Sequence, residues 1–512
     1  MNLRIRTDCP QFYSDLCDVL RLFYGDVTVE DCSGREAAPG GDLFEHEWSA
    51  ENGVWVDRWR NGGHAAERRT PVCHGHPLEV KRVRKRAAKA ALYDLLVETT
   101  GVRPPWGSLT GIRPTRLLYE GLEQGLSMDE AVQRVIREFD VSPDRARLLA
   151  EIAQMQRGIL RPAEGEFDLY IGIPFCTTRC SYCSFASGEI GDGRLVAPYV
   201  EALTREIRLC GEMIRARGLR LRAGYVGGGT PTAIPCADLE RILSAAQAAF
   251  PGAVEWTVEA GRPDTIDREK LAMLKSRGIG RISVNPQTFS DETLARIGRK
   301  HTGADTVRAY ELARSMGFDD INMDLIAALP GETPEVFSRT LDRVIELDPE
   351  SVTVHALAIK RSSRLHEKLH VEGGGHAPAE AGGAAEMIAM ARARLTEGGW
   401  RPYYLYRQKY MAGNLENVGY AKPGRACLYN IGNMEETASV LALGAGAITK
   451  WLYDREASVP EAEVEALRFA NLQLRIERAP NVRNIEQYIA RVDEMAARKR
   501  ALIFPDAREG AR

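Results

Sequence analysis

The 512-residue chain has little of several features, and each shortage excludes a class of protein. It has no apolar run of roughly 18 residues or more, so we expect no transmembrane helix. Its first residues, MNLRIRTDCPQFYSDL, lack the apolar core of a signal peptide, so we expect a cytoplasmic protein. Its ten cysteines are too few for a disulfide scaffold. Its net charge of -3 argues against a dedicated nucleic-acid binder.

The composition is that of an ordinary folded protein, at 44% hydrophobic and 27% charged residues, which excludes wholesale disorder. Changes of pattern divide the chain into three regions. We expect an N-terminal accessory α/β domain at 1–160, a core at 161–370 and a mostly helical C-terminal extension at 371–512. Residues 371–385, VEGGGHAPAEAGGAA, are low in complexity and are predicted to form a mobile loop.

Short β-rich runs alternate with amphipathic helical stretches from about residue 167. The six predicted strands are 168–173, 222–227, 254–260, 280–285, 321–326 and 351–357. Alternating strands and helices form βαβ units with a parallel sheet, and right-handed crossovers curl that sheet towards a barrel. No two further strands are evident, so the pattern favours an open (βα)6 partial barrel over a closed eight-stranded one.

Three cysteines, Cys176, Cys180 and Cys183, follow the first predicted strand directly in the spacing CxxxCxxC. Chemistry in a parallel α/β barrel is carried by the loops after the strands. Three thiolates can hold three irons of a [4Fe–4S] cluster and leave the fourth iron open to another ligand. A zinc site is the alternative, and it would need a fourth ligand such as His355. The other seven cysteines are expected to be small buried hydrophobic residues.

The spacing CxxxCxxC after the first barrel strand resembles the signature of the radical S-adenosylmethionine (SAM) superfamily. The loop GGGTPT at 227–232, one βα unit later, is similar to the SAM-binding loop of that superfamily, although alone it could be only a tight turn. The resemblance implies that SAM chelates the open iron. One electron would then cleave the sulfonium and give a 5′-deoxyadenosyl radical, which abstracts hydrogen from a C–H bond.

The form GGGTPT points to the subgroup that contains the oxygen-independent coproporphyrinogen III dehydrogenase, and polar residues at successive strand ends match it. The resemblance implies two SAM molecules per active site. The cluster-bound one would contact Tyr170, Gly228 and Glu259. Residues around the second would be Tyr182, Gly229, Thr230, Gln287, Arg299, Asp324 and Ala358, of which Tyr182, Gln287, Arg299 and Asp324 are the candidate catalytic residues. Any one of these polar residues, taken alone, suits a surface or capping role.

The flanking segments PPWGSLTGIRPTR (104–116), PYYLYRQKYMAGNLENVGYAKPG (402–424) and ALGAGAITK (442–450) look like the HemZ-type branch of this family. The resemblance implies oxidative decarboxylation of two propionates of coproporphyrinogen III to vinyls, which gives protoporphyrinogen IX in haem biosynthesis. It implies a reductase, flavodoxin or ferredoxin as electron donor, no nucleic-acid partner, a C-terminal region that covers the substrate, and a monomer.

A substrate with four carboxylates needs cations at the mouth of the site, and a tetrapyrrole suits an aromatic wall. The candidate cations are Arg113, Arg116, Lys360, Arg361, Arg407 and Lys409, for which solvated surface charge is the alternative. The candidate aromatic residues are Tyr403, Tyr404, Tyr406 and Tyr410, for which core packing is the alternative.

One position departs from the family pattern. The best-known coproporphyrinogen dehydrogenase has a fourth cysteine where this chain has Phe185, and the haem-chaperone branch of the subgroup also lacks it. Haem binding and delivery is therefore a second hypothesis, and a radical SAM enzyme acting on another tetrapyrrole is a third. The basic segment KRVRKRAAK (81–89) suggests an RNA-modifying enzyme, but a solvated helix face is the preferred interpretation.

Overall fold

The computed structural model describes residues 2–25, 27–33, 42–75, 77–111, 113–359, 363–365, 367, 378–408, 414–454 and 474–505. The chain folds as two compact units, one formed mainly by Met1–Ala150 and one formed mainly by Glu151–Tyr406 and the chain that follows.

The first unit is built on a five-stranded sheet in the order β2-β1-β3-β4-β5. Its strands are β1 (Asn2–Thr7), β2 (Thr28–Asp31), β3 (Asp42–Glu51), β4 (Val54–Asn61) and β5 (His64–Pro71). Two helices, α1 (Tyr13–Tyr24) and α2 (Pro77–Thr100), share its core. Leu16 and Leu92 bury their side chains there with Ile5 and Trp59. Helix α2 ends at Thr100, and the φ of 69° at the following Gly101 suits a residue without a Cβ.

The basic run on α2 is only partly solvated, which corrects the interpretation of the whole segment as a solvated face. Arg84 is buried and forms an ion pair with Asp57 at 2.8 Å. Arg82 and Arg86 both contact Glu120, a carboxylate that is itself buried. These three arginines are therefore paired with buried carboxylates inside the first unit.

Three helices follow α2, namely α3 (Thr115–Glu123), α4 (Met128–Phe139) and α5 (Pro143–Met155). Ser127 and Glu130 form a capping box that begins α4 by satisfying backbone N–H groups of its first turn.

The six predicted barrel strands are all present. They are β6 (Glu166–Ile173), β9 (Arg220–Gly228), β10 (Glu255–Glu259), β11 (Arg281–Ser283), β12 (Ile321–Ala327) and β13 (Ser351–Ala356). Between β6 and β9 lie two short strands, β7 (Phe175–Cys176) and β8 (Gly188–Glu189), which pair with each other. The six main strands are parallel and adjacent in chain order, as the βα alternation predicts.

Helices connect the barrel strands and cover the outer face of the sheet. They are α6 (Val196–Ala216), α7 (Cys236–Ala249), α8 (Arg268–Ser276), α9 (Asp291–Arg296), α10 (Gly303–Ser315) and α11 (Pro334–Leu347). On β6, Leu169 and Ile171 are fully buried, whereas Tyr170 between them is half-buried. Because side chains alternate across a strand, Tyr170 faces the opposite side, the interior of the partial barrel.

The C-terminal region contributes both helices and strands. Its helices are α12 (Pro378–Glu397), α13 (Leu428–Glu435), α14 (Ile485–Ala490) and α15 (Val492–Ile503). Its strands, which the sequence did not predict, are β14 (Arg401–Tyr406), β15 (Asn417–Ala421), β16 (Val440–Leu443), β17 (Ile448–Asp454) and β18 (Leu474–Pro480). They extend the sheet to eleven strands in the order β14-β15-β13-β12-β11-β10-β9-β6-β16-β17-β18, which is open at β14 and β18.

Two further findings concern the expectations for this region and the membrane. The loop predicted at 371–385 is wrong for its second part, because α12 begins at Pro378. Pro at the start of a helix and the following alanines favour the helix. Residues 371–377 lie outside the described part of the chain.

In the described residues, no helix has the length and apolar character needed to cross a bilayer.

Candidate functional site

The three cysteines lie in the loop after β6, at the carboxyl ends of the barrel strands. Cys176 ends β7, and its carbonyl accepts a hydrogen bond from Ile190 N at 2.8 Å. Cys183 N donates to Cys180 O at 3.2 Å, which closes a tight turn between these two residues. Burial raises the pKa of the Cys176 and Cys183 thiols, and the charge of the nearby Cys180 raises both further. The three thiols therefore lie within electrostatic reach of one another.

The donor set of three thiols suits three corners of an iron–sulfur cubane. In the part of the chain that the structure describes, no three His, Cys, Asp or Glu side chains converge as the ligands of one ion do. The thiolates of a cubane bind different irons, so they lie further apart than the ligands of one zinc ion. His355, the fourth ligand named for the zinc alternative, lies on β13.

The glycine loop passes directly against the cysteine loop. A Cβ on Gly229 would lie 2.6 Å from Phe175 O and 3.0 Å from Cys176 Sγ, and Gly228 has a φ of 112°. Thr230 N donates to Phe175 O at 2.7 Å, and its hydroxyl lies 3.7 Å from Cys176 Sγ. Only residues without side chains allow this approach, so the predicted adjacency of the two motifs is present.

Glu259 lies at the end of β10 beside this loop. A Cβ on Gly227 would lie 2.9 Å from the Glu259 carboxyl carbon, and Tyr225 donates its hydroxyl proton to Glu259 Oε1 at 2.6 Å. Burial raises the pKa of Glu259 to about 7. Tyr225 in turn stacks on Tyr429 with ring centroids 4.5 Å apart, and Tyr170 lies beside both. Glu259 and Tyr170 therefore share one aromatic-walled part of the barrel interior.

A second group contains Gln287, Arg299, Asp324 and Tyr182. Gln287 N donates to Asp324 O at 2.9 Å, and Gln287 adopts a φ of 67° that places it in the left-handed region. Arg299 donates to Asn285 O at 2.8 Å and to the Tyr182 hydroxyl at 3.3 Å. Its guanidinium also reaches the Cys180 thiol. The structure thus pairs Gln287 with Asp324 and Arg299 with Tyr182, and Asn285 contacts both pairs.

Several neighbours of this group were not predicted from the sequence. Asn285 Oδ1 accepts from Asp324 N at 3.2 Å, and Asn322 Nδ2 donates to Asp324 Oδ1 at 2.8 Å. Asn417 Oδ1, on β15, accepts from Ala356 N at 2.9 Å. Asn322 lies two residues before Asp324, so the period of two along a strand was an available signal. Asn417 had no such signal, because β15 was not predicted.

Only some of the tyrosines on β14, the strand after α12, line the interior of the barrel. Tyr406 lies 3.4 Å from His355 Nδ1, and Tyr404 lies 3.4 Å from the Thr353 hydroxyl on β13. Tyr403 and Tyr404 are almost fully buried, so these two rings also serve core packing. Ala358 lies two residues beyond β13 and is half-buried. Tyr410 lies outside the described residues.

The described candidate cations for the substrate are buried or half-buried and already have interaction partners. Arg407 belongs to the first unit and is buried, with its guanidinium donating to Leu109 O at 2.8 Å and lying over the Trp106 ring. It therefore holds the Trp106–Gly111 segment and does not face solvent. Arg113 and Arg116 are half-buried and already have interaction partners. The other three, Lys360, Arg361 and Lys409, lie outside the described residues.

Comparison with known proteins identifies the family. Residues 170–344 match the radical SAM superfamily. The chain is 40% identical over 370 residues to the oxygen-independent coproporphyrinogen-III oxidase-like protein HemZ of Bacillus subtilis, a match that covers 71% of this chain and 73% of that protein. The chain belongs to this family of radical SAM proteins. Radical SAM proteins use a [4Fe–4S] cluster and SAM, and the three thiols beside the glycine loop suit that cluster.

Other relatives carry different names. The heme chaperone HemW of Bacillus subtilis is 29% identical over 281 residues, 54% of this chain and 69% of that protein. Among solved structures, coproporphyrinogen III oxidase (HemN) from Escherichia coli is 23% identical, covers 68% of this chain and 73% of its own, and gives a TM-score of 0.49. The relatives of this chain thus include a protein named for catalysis and a protein named for haem delivery.

Proposed function

We propose that this radical SAM protein oxidatively decarboxylates two propionates of coproporphyrinogen III, giving protoporphyrinogen IX. The observation that carries the proposal is the 40% identity with a coproporphyrinogen-III oxidase-like protein, which extends over 71% of the chain, well beyond the barrel. Each propionate loses one β-hydrogen atom, one electron and carbon dioxide, and becomes a vinyl group. The reaction therefore needs a hydrogen-atom acceptor and an electron acceptor for each propionate.

The cysteines Cys176, Cys180 and Cys183 would hold the cluster, and SAM bound to it would supply the hydrogen-abstracting radical. Glu259 would bind the ammonium of the cluster-bound SAM. A carboxyl with a pKa near 7 is readily ionised when a cation arrives, because the cation lowers that pKa again. Gly228 would contact the same SAM molecule through its backbone, and Tyr170 would contact it through the face of its ring.

The second SAM molecule would lie against the group around Asp324. Arg299, fixed by Asn285 O, presents a guanidinium suited to a carboxylate, and Asp324 presents a carboxylate suited to ribose hydroxyls or an ammonium. Tyr182, Gln287, Gly229, Thr230 and Ala358 complete the proposed contacts. In this scheme Tyr182, Gln287, Arg299 and Asp324 also orient the reacting propionate, since orientation is the main contribution that a protein makes to radical chemistry.

The regions around the barrel have proposed roles as well. Residues 161–370 form the catalytic core, residues 371–512 cover the substrate, and residues 1–160 form an accessory domain. The protein would act as a monomer in the cytoplasm and receive its electron from a reductase, flavodoxin or ferredoxin.

One observation favours haem binding and delivery as a second candidate function. Phe185 takes the place of the fourth cysteine, and it is 68% exposed beside the cysteine loop. An exposed aromatic ring next to a cluster site offers a contact surface for a planar macrocycle. Relatives named heme chaperone match 54% of the chain.

An anaerobic assay of iron-reconstituted protein with coproporphyrinogen III and haem in parallel, read by mass spectrometry, separates the candidates. The first function predicts protoporphyrinogen IX and 5′-deoxyadenosine. SAM cleavage without loss of coproporphyrinogen refutes it, and stoichiometric haem binding with a Soret shift then supports the second. Methylated linear tetrapyrrole would indicate a third reaction on the same site.

The variant Cys180→Ala tests the ligand assignment separately. We expect it to lose bound iron and SAM cleavage together, because two thiolates do not hold the cubane. Cys236→Ala, a change at the start of α7, is the matched control and should keep both. A Cys180→Ala protein with a full iron content would show that the cluster ligands are elsewhere.

A further inference from the structure

A buried arginine in the loop after β10 contacts the loop that carries the three cysteines. Arg262 follows β10 and is only 3% exposed. Its Nη1 donates to Thr178 O at 3.1 Å and to Thr178 Oγ1 at 2.8 Å. Thr178 lies midway between Cys176 and Cys180, so a single guanidinium nitrogen anchors both the backbone and the side chain of that segment.

The same guanidinium is fixed from its other side by a carboxylate. Arg262 Nε and Nη2 donate to the two Asp264 oxygens at 3.0 and 3.2 Å. Asp264 Oδ2 also accepts from the Thr177 hydroxyl at 3.1 Å. Thr178 donates its own hydroxyl to Gly298 O at 3.2 Å. The network is closed, since Arg262 and Asp264 each contact one of the two threonines in the segment between the first two cysteines.

The segment 260–265, here called the bridging loop, also contacts the glycine loop. Thr265 Oγ1 lies 2.7 Å from the Thr232 hydroxyl, and Thr232 Oγ1 donates to Ala260 O at 3.4 Å. Arg262 O in turn accepts from Thr265 N and from its hydroxyl, at 2.9 and 2.8 Å. The bridging loop therefore connects the segment that carries the cysteines to the loop that faces them.

We propose that Arg262, with Asp264, is a positioning residue that sets the spacing of Cys176 and Cys180 for the iron–sulfur cluster and fixes it relative to the glycine loop. A planar guanidinium makes this arrangement because its donors diverge in one plane, two towards the carboxylate and one towards Thr178.

The test measures the cluster itself, not turnover. Reconstituted Arg262→Met, Arg262→Lys, Asp264→Asn and Thr178→Val proteins are exposed anaerobically to an iron chelator, and the electron paramagnetic resonance spectrum of each reduced cluster is recorded. Arg277→Met is the matched control, because Arg277, at the end of α8, is a half-buried arginine that also pairs with a carboxylate, that of Glu240. Supporting residues of metal sites typically contribute about 10- to 100-fold in affinity, so Arg262→Met should release iron roughly 10 to 100 times faster than wild type.

Arg262→Lys keeps the positive charge and loses the planar guanidinium with its diverging donors. It should release iron at an intermediate rate, with a changed resonance spectrum, whereas Arg277→Met should match wild type in both. Thr178→Val leaves the arginine in place and removes one acceptor, so it decides the question if Arg262→Met does not fold. Wild-type release rates and spectra in Arg262→Lys and Thr178→Val overturn the proposal, even where thermal stability falls.

The inference rests on the assignment of the three cysteines as cluster ligands and not on the identity of the tetrapyrrole. Its failure is distinguishable from failure of that assignment. If Cys180→Ala keeps its cluster, the ligand assignment is wrong. If Cys180→Ala loses iron while the Arg262 and Thr178 variants behave as wild type, only the positioning role is wrong.

Discussion

Glu332, in the turn after β12, is a carboxyl that the proposed chemistry does not use. It is 9% exposed, its Oε1 accepts from the Thr288 hydroxyl at 2.6 Å, and its Oε2 has no hydrogen-bond partner among the residues that the structure describes. Burial raises the pKa of Glu332 to about 7 from 4.5. The folded protein therefore holds a proton on Glu332 over a pH range in which the unfolded chain has already released it.

This difference makes stability fall as pH rises from about 5 towards 7 and level off above it, since the folded state binds the extra proton only within that window. Glu332→Gln mimics the protonated carboxyl, so its stability relative to wild type should grow across the same window, by roughly 1–3 kcal/mol. Urea unfolding at pH 5, 6, 7 and 8 measures it. Glu311→Gln, an exposed change on α10, should show no such trend. A Glu332→Gln difference that stays flat with pH would contradict the expectation.

At the residue scale, spacing indicated two motifs that the structure brings into contact, the cysteines and the glycines, because a close backbone approach restricts residue type at fixed positions. The charge of a side chain was a poor guide to its exposure. Arg84 and Arg407 looked like surface cations in the sequence, yet both are buried. Their partners, Asp57 and the carbonyl of Leu109, are distant in the chain, so no local pattern indicates them.

At the scale of elements, the contact between the glycine loop and the end of β7 is the tightest part of the site. Gly229→Ala would bring a Cβ to 2.6 Å from Phe175 O. Overpacking of this kind typically costs about 1–3 kcal/mol, and here it is relieved only by moving Cys176 or the loop. We expect Gly229→Ala to lower the thermal midpoint and the iron content after reconstitution.

Gly280→Ala is the control for that substitution, because no atom lies within 4 Å of its added Cβ. It should leave iron content unchanged. Equal iron content in the two variants would show that the loop adjusts without disturbing Cys176.

The six barrel strands were predictable because each is a short β-branched or aromatic run bounded by turn residues and followed by a helix. β16 was not, since VLAL is a four-residue run that could equally lie in a helix. Its role as a parallel neighbour of β6 depends on tertiary pairing, with Val440 opposite Asp168. Helix α12 was missed for a related reason: the composition of its first residues favours a loop, and its later turns pack against β13.

At the scale of the second unit, a buried ion pair connects α6 to the C-terminal helix α15. Lys499 Nζ lies 2.7 Å from Glu206 Oε1, with both side chains fully buried, and Glu206 also accepts from Tyr488 and Gly444 N. Lys499→Met leaves a buried carboxylate without its cation, which typically costs about 3–5 kcal/mol. Calorimetry should show a lower unfolding midpoint for this unit.

A second ion pair between the same two helices gives the matched control. Arg205 and Asp493 are 2.7 Å apart, but their side chains are 50% and 65% exposed. Solvent screens such a pair, so Arg205→Ala should change the midpoint little. If Arg205→Ala and Lys499→Met proved equally destabilising, burial would not be what gives the Glu206–Lys499 pair its importance.

The parallel pairing of β16 with β6 has a consequence for biosynthesis. The strand that leads into the three cysteines finds its second neighbour about 270 residues later in the chain. At translation rates of about 5–20 residues per second, that neighbour leaves the ribosome roughly 15–50 s after β6. Throughout this interval the nascent chain presents an unpaired strand edge, the kind of surface that aggregates and that chaperones shield. If iron bound the three thiols during this interval, it would therefore bind to a sheet that still lacks β16.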